Sequence, residues 1–286
     1  MSLNFLLIQV LNGLSFAGLL FVLASGYTLI FGLMRIVNLS HGGFYLVGGY
    51  VGLTIGLASG NFWLGIIGGA LAIAVLGGVV ERFLLRRIRG QALSEVLLTI
   101  GVAFVLSDMS LAIWGGDPMR VSTPSYLSGA VDLGFVTYPR FRLFVVALGI
   151  AVGLALWYLQ TRTRIGAIVR AGVDDREMIA ALGVNIKLVF TGVFLFGSFL
   201  AGLSGVVGGA FLALAPGADT QILLFALVVV ILGGLGSLPG AALGSILVGL
   251  IDAFGRAFVP ELSYLTLFAP MAIVLVLLPR GLLGRR

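Results

Sequence analysis

The chain has no cysteine, a single lysine (Lys187) and a single histidine (His41). Without thiols there is no disulfide and no thiol chemistry, and the absence is silent about compartment. A lone histidine makes neither a triad nor a metal site without partners, and no HExxH pattern or carboxylate cluster supplies them. No G-x-x-x-x-G-K-[ST] segment is present, and glycine runs such as 233–236 lie in apolar sequence, so this chain does not itself hydrolyse nucleotide. Charge is scarce too, at 10% of residues. A soluble domain is excluded on that count.

What fills the 286 residues is apolar: 60% hydrophobic, with a mean hydropathy of +1.18 and 43 glycines. Such glycine usage suits close approach of helices in a bilayer. Apolar runs cover residues 5–33, 44–57, 62–80, 96–114, 143–159, 188–215, 222–232, 241–254 and 264–278. A span needs about 20 residues, and the run at 222–232 reaches only about 16 Å. The first run has no basic n-region or convincing cleavage site ahead of it and is expected to be retained. The reading is an all-α polytopic membrane helix bundle of about eight to nine transmembrane helices, forming one transmembrane domain over 1–286.

The net charge of +6 is almost all arginine, set in short loops, where orientation and anionic membrane lipid account for it and nucleic acid is not implied. Arg82, Arg86, Arg87 and Arg89 fall in the 81–91 loop, and Arg280, Arg285 and Arg286 in the tail. Placing these on the cytoplasmic side with the segment 160–187 puts the mixed-charge loop 115–142 outside and the C-terminus inside.

The segment 160–187 holds Arg162, Arg164, Arg170, Arg176 and Lys187, with Asp174, Asp175 and Glu177 between them. Each such charge costs about 2.5–3.5 kcal/mol at the centre of a bilayer, so the segment is solvated. Ala167, Ile168 and Ala171 are spaced as one helical face, Met178, Ile179, Ala181 and Leu182 as another, and Gly183 stands where a helix C-terminus wants it. One or two short surface helices are expected, serving either to orient the protein or to dock a soluble partner.

Two interruptions stand out. Residues 40–53 echo residues 237–250, with Ser, Gly, Leu, Val, Gly and Leu in register. One copy follows the polar stretch 35–38 and the other the glycine run 233–236. Paired interrupted segments mark a transporter's substrate path, here Asn38, Ser40, His41, Gly42 and Gly43 with Gly236, Ser237 and Gly240. Ser40 and Ser237 occupy N-cap positions, with Pro239 in the first turn of the second helix. A helix N-terminus deep in a bundle can hold a carboxylate; a plain surface cap and an interfacial His41 are the simpler reading of the same residues. Asp108 and Asp252 lie in or near apolar runs, Arg256 being an i,i+4 partner for Asp252, and Glu95 is expected to pair with nearby arginines.

Residues 26–42, GYTLIFGLMRIVNLSHG, resemble the permease of bacterial branched-chain amino-acid ABC importers, of the kind encoded beside a second, related permease. Thr163-Arg164-Ile165-Gly166 leading into Arg170-Ala171, then 181–185 and 233–241, agree with the same family, more than with its sugar-permease relatives. The resemblance implies four partners: a second permease, two cytosolic ATPase subunits and an external substrate-binding protein. It also implies that Arg164, Gly166, Arg170, Ala171, Asp174, Asp175, Arg176, Glu177 and Gly183 belong to the region that docks on the ATPase. Gly43 departs from the polar residue frequent there, so that position does not help assign the substrate. No cofactor is implied. Related systems carry urea or short amides, and an ion-coupled secondary transporter would lean on Asp108 and Asp252. An intramembrane enzyme would need a constellation that the sequence lacks.

Overall fold

The computed structural model describes residues 2–134, 136–174, 176–278 and 280–284. In chain order the helices are α1 (Leu3–Met34), α2 (His41–Ser59), α3 (Phe62–Val79), α4 (Ala92–Trp114), α5 (Arg140–Arg162), α6 (Arg164–Asp174), α7 (Arg176–Ala181), α8 (Ile186–Phe211), α9 (Ala218–Gly233), α10 (Leu238–Phe258) and α11 (Ser263–Leu277). The loop before α5 holds a small antiparallel hairpin, β1 (Ala130–Asp132) and β2 (Thr137–Pro139). Among the described residues seven helices are long and apolar enough to cross a membrane: α1 to α5, α8 and α10. The protein is a multi-pass membrane helix bundle. The nine expected runs all form helices, but α9 and α11 have 16 and 15 residues and, at about 1.5 Å per residue, fall short of a 30 Å hydrocarbon core.

The central spans are apolar all round, so no polar stripe sets their packing; small residues do. α1 lies at the centre, with Leu20, Ala24 and Ile30 fully buried. It packs against α5, α8, α9 and α10. Backbones come so close that side chains are excluded at the crossings. A Cβ on Gly205 of α8 would stand 2.0 Å from the Tyr45 carbonyl oxygen, and one on Gly249 of α10 would stand 2.3 Å from that of Gly13.

These contacts fix directions. Gly13 faces Gly249 and Gly32 faces Gly236, so α1 and α10 are antiparallel. Gly48 meets Gly202, and Gly52 meets Val206, so α2 runs parallel to α8. Gly18 and Phe21 meet Gly149 and Gly153, so α5 runs parallel to α1. The turn after α3, the start of α8 and α6 therefore gather at the C-terminal end of α1, and the Arg280 carbonyl lies there against Gly234. The hairpin loop lies at the other end.

Three boundaries differ from the sequence reading. The helix of α3 does not stop at Val80: it continues through a π-turn (Val80–Leu84) and a 3₁₀ turn (Leu85–Arg87), which carries Glu81 inward instead of into a loop. Arg140 and Arg142 belong to the first turn of α5, not to the external loop. The 188–215 run breaks at Phe211, and residues 212–217 form an irregular segment with Ala213 at φ +76°.

Candidate functional site

The first interruption lies deep. α1 ends at Arg35, whose φ of +56° turns the chain back along the helix that it has just left. By His41 it has returned to the level of Leu23: the His41 Nε2–H donates to the Leu23 carbonyl oxygen at 3.1 Å, and the ring meets Tyr27 edge-on. That is 11 residues back from Met34, about 16 Å along α1. Irregular backbone at such depth persists only under protein cover, and Asn38, Ser40 and His41 are fully buried. Ser40 does not cap α2, against expectation. Its own backbone is already helical, so its hydroxyl turns instead to Asn38 Oδ1 at 2.5 Å, which also accepts the Ser40 N–H at 3.2 Å. Gly42 lets α9 approach: a Cβ there would stand 2.3 Å from the Asp219 carbonyl oxygen. Gly43 faces Leu106 of α4. Asn38 Nδ2, His41 Nδ1 and Asp219 Oδ1 are buried without a hydrogen-bond partner among the described residues.

The second interruption is unlike the first. Ser237 does cap α10, its Oγ accepting the Gly240 N–H at 3.1 Å, with Pro239 in the first turn as expected. Gly240 is pressed against the Gly233 carbonyl, while Gly236, at φ +81°, lies exposed against Gly32 near the end of α1. Gly32 is nine residues beyond Leu23, so the two interruptions are separated by about 14 Å along α1 and do not face each other.

At the far end of the bundle a cavity of about 880 Å³ opens between α1, α9 and α10, walled by the irregular 212–217 segment. Its polar lining includes Asn12, Arg142, Gln221, Asp252 and Arg256. Asp252 and Arg256 pair as expected, with both carboxylate oxygens 2.9 Å from Nε. Asp108 lies elsewhere, on an exposed face of α4. The sequence reading missed this cavity, because its wall lies inside what reads as one apolar run. It also missed Asp219, although an acid just after Pro216-Gly217 and before an apolar run signals a helix first turn.

At the C-terminal end of α1, Glu81 is fully buried yet fully paired. Arg86 and Arg89 reach its two oxygens at 3.1 and 2.9 Å, and Thr191 of α8 donates at 2.7 Å. Arg86 also donates to Thr191 Oγ1 and to the Lys187 carbonyl, so the turn after α3 is tied to the start of α8. Arg89 lies over the Phe190 ring, and burial draws its guanidinium below its ordinary value, which the Glu81 charge opposes. Among the described residues Glu95 forms no ion pair with an arginine, although its charge acts on Arg89; it accepts the Gly90 N–H at 2.8 Å, holding the same turn.

Beside this cluster α6 and α7 form the two short helices expected. In α6 the buried face differs from the one read. Ala167 and Ala171 point outward, and α6 buries Gly166, Val169 and Gly172, with Gly172 against Leu33 of α1. The pattern misled because the closest contacts run through glycines, which a search for apolar bulk passes over. Arg164, Ile165, Met178 and Leu182 are exposed, and Ile179 is buried. Arg170 is half-buried. Gly183, at φ +84°, closes α7 with the Val184 N–H reaching the Ile179 carbonyl. Asp175 lies outside the described residues, as do the side chains of Asp174, Arg176 and Glu177 and the tail residues Arg285 and Arg286.

Interrupted helices in a membrane bundle, with a cavity at one end and amphipathic surface helices at the other, define a transport permease. A family model for the branched-chain amino acid transport system / permease component matches residues 9–275, and the chain belongs to that family. It is 28% identical over 296 residues to the high-affinity branched-chain amino acid transport system permease protein BraD of Pseudomonas aeruginosa, covering 97% of this chain and 95% of that one. LivH of Salmonella typhimurium, with the same description, is 30% identical over 297 residues, at 97% and 95% coverage. The permease protein LivM of Escherichia coli is 27% identical over 288 residues, covering 92% of this chain and 67% of that protein. The resemblance read from residues 26–42 is borne out.

Proposed function

We propose that this chain is one of two related permease subunits in an ATP-driven importer of branched-chain or other hydrophobic amino acids. The carrying observation is similarity along 97% of the chain to permeases named for high-affinity branched-chain amino acid transport. Similarity to LivM as well as LivH supports a second, related permease as partner. ATP hydrolysis falls to two separate cytosolic subunits, and an external binding protein delivers the cargo. The membrane is the bacterial inner membrane, with the arginine-rich end of the bundle and the C-terminus cytoplasmic.

On this reading α6 and α7 meet an ATPase subunit through the surface around Arg164, Gly166, Arg170, Ala171, Asp174, Asp175, Arg176, Glu177 and Gly183. Exposed Ile165, Met178 and Leu182 among charges support a docking surface over a plain solvated loop. The substrate path passes the two interruptions, Asn38–Gly43 and Gly236–Gly240, at successive depths. Pairing with Arg256 occupies Asp252, one of the two carboxylates on which a proton-coupled carrier would lean. The test is reconstitution of both permeases and the ATPases in liposomes with the binding protein outside. Leucine uptake should require ATP. Uptake that ignores ATP and follows the proton gradient would replace the reading with secondary transport, and uptake of urea or short amides alone would replace the cargo.

A further inference from the structure

We infer that the cavity between α1, α9 and α10 is a binding site for the carboxylate of an amphipathic amino acid, anchored by Arg142. The ligand class rests on the amino-acid reading above; the site itself rests on geometry.

Arg142 is held in place but not neutralised. It donates to Asn12 Oδ1 and its guanidinium lies over the Phe211 ring at 5.0 Å. Asn12 is in turn held by the Tyr138 hydroxyl, which donates to it at 3.0 Å and lies 3.0 Å from Ser15 Oγ. Among the described residues no carboxylate pairs with Arg142, and a guanidinium presents five N–H donors in a fork matched to a carboxylate. Nor does it serve its own helix: it stands in the first turn of α5, where the helix dipole disfavours a cation. The cavity lining carries Arg142, Arg256 and Asp252, an excess of one positive charge, and the Asp252–Arg256 pair is internally satisfied.

The remaining walls suit an aliphatic side chain. Phe16 meets Phe225 edge-on with ring centres 5.1 Å apart, and stacks at 6.5 Å on the Phe211 ring that carries the guanidinium. The wall between α8 and α9 keeps its shape at a cost, since Ala213 sits at φ +76°, a strained value for a residue with a Cβ. Leu214 next to it is clamped by two backbone hydrogen bonds to Met119, at 2.8 and 2.7 Å. A volume of about 880 Å³ leaves room for water around such a ligand, so the site holds it loosely, as a relay requires.

The test uses the cysteine-free background. In the assembled complex a Gln221→Cys variant places one thiol on the cavity lining, and its alkylation rate by a small polar reagent is measured with leucine, with isovalerate and with leucinol, which has no carboxylate. Leucine and isovalerate should slow labelling about threefold or more near saturation, and leucinol should not, because only a carboxylate engages the guanidinium fork. Adding Arg142→Gln should abolish protection, and Arg142→Lys should restore part of it. Equal protection by leucinol, or protection that survives Arg142→Gln, would overturn the inference, as would no protection by any carboxylate. If the complex imports no amino acid yet isovalerate still protects through Arg142, the transport reading fails and the carboxylate site stands.

Discussion

The two interruptions share a sequence echo and little else. At the start of α10, Ser237 caps the helix and the exposed Gly236 lies at the end of α1. At the start of α2, the Ser40 side chain does not cap, Asn38 ties the turn, and Asn38 Nδ2 and His41 Nδ1 are buried without partners among the described residues. A satisfied cap has no reason to rearrange. Buried polar atoms without protein partners are costly, at about 1–3 kcal/mol each, unless water or a second arrangement satisfies them. The comparison predicts that a rearrangement during transport falls on the first interruption and spares the second.

The largest effect should come from closing the tight approach at the first interruption. Gly42→Leu forces atoms into the Asp219 backbone, where even a Cβ would stand at 2.3 Å, and backbone cannot step aside as a side chain can. Uptake by the reconstituted importer should be lost. Gly43→Ala meets Leu106 side-chain atoms at 3.2 Å and the Ala103 Cα at an ordinary 3.5 Å, and should keep most uptake. If both behave alike, the approach of α9 to α2 does not matter.

Next comes the drive. If the first interruption moves with ATP hydrolysis, that motion must reach α1, which α6 touches through Gly172 and Leu33. Replacing Asp174, Asp175 and Arg176 together with alanine should leave membrane insertion intact, uncouple uptake from hydrolysis, and freeze the thiol reactivity of a Ser40→Cys variant. Normal uptake by a well-folded triple variant would remove α6 and α7 from the coupling route.

Intermediate in size is Asn38→Ala. It strips the acceptor from both the Ser40 N–H and hydroxyl, in a fully buried residue, and should lower thermal stability of the complex by about 1–3 kcal/mol. An unchanged unfolding midpoint would mean that the turn relaxes freely.

How much of this was legible follows from what each residue does locally. The bundle, its arginine-rich end, the start of α10 and the Asp252–Arg256 pair all rest on local rules: hydropathy, capping, i,i+4 spacing. Glu81 was not legible, because Arg86, Arg89 and Thr191 converge on it only when the chain past Val79 continues as helix through the π-turn beside α8. The cavity was not legible either: Pro216-Gly217 marks a break, but nothing in the apolar run announces that the chain leaves the helix as early as residue 212. Ser40 was misread for a subtler reason. A cap is recognised by residue type, but its function needs an extended backbone at that residue, and Ser40 at φ −71°, ψ −4° already has right-handed helical angles.

That difference yields the smallest prediction and the sharpest test of the comparison. Ser237→Ala removes a real cap, leaving the Gly240 N–H without its acceptor, and should cost about 1 kcal/mol in stability. Ser40→Ala removes only a hydroxyl that donates to Asn38 Oδ1, an acceptor that keeps the Ser40 N–H, so its cost should be smaller. Denaturation of the two purified variants side by side, each within the complex, reads the sign directly. A Ser40→Ala loss equal to or above that of Ser237→Ala would mean that the hydroxyl caps α2 after all in the populated state. The first interruption would then be as fixed as the second, and the rearrangement predicted for it would have to lie elsewhere.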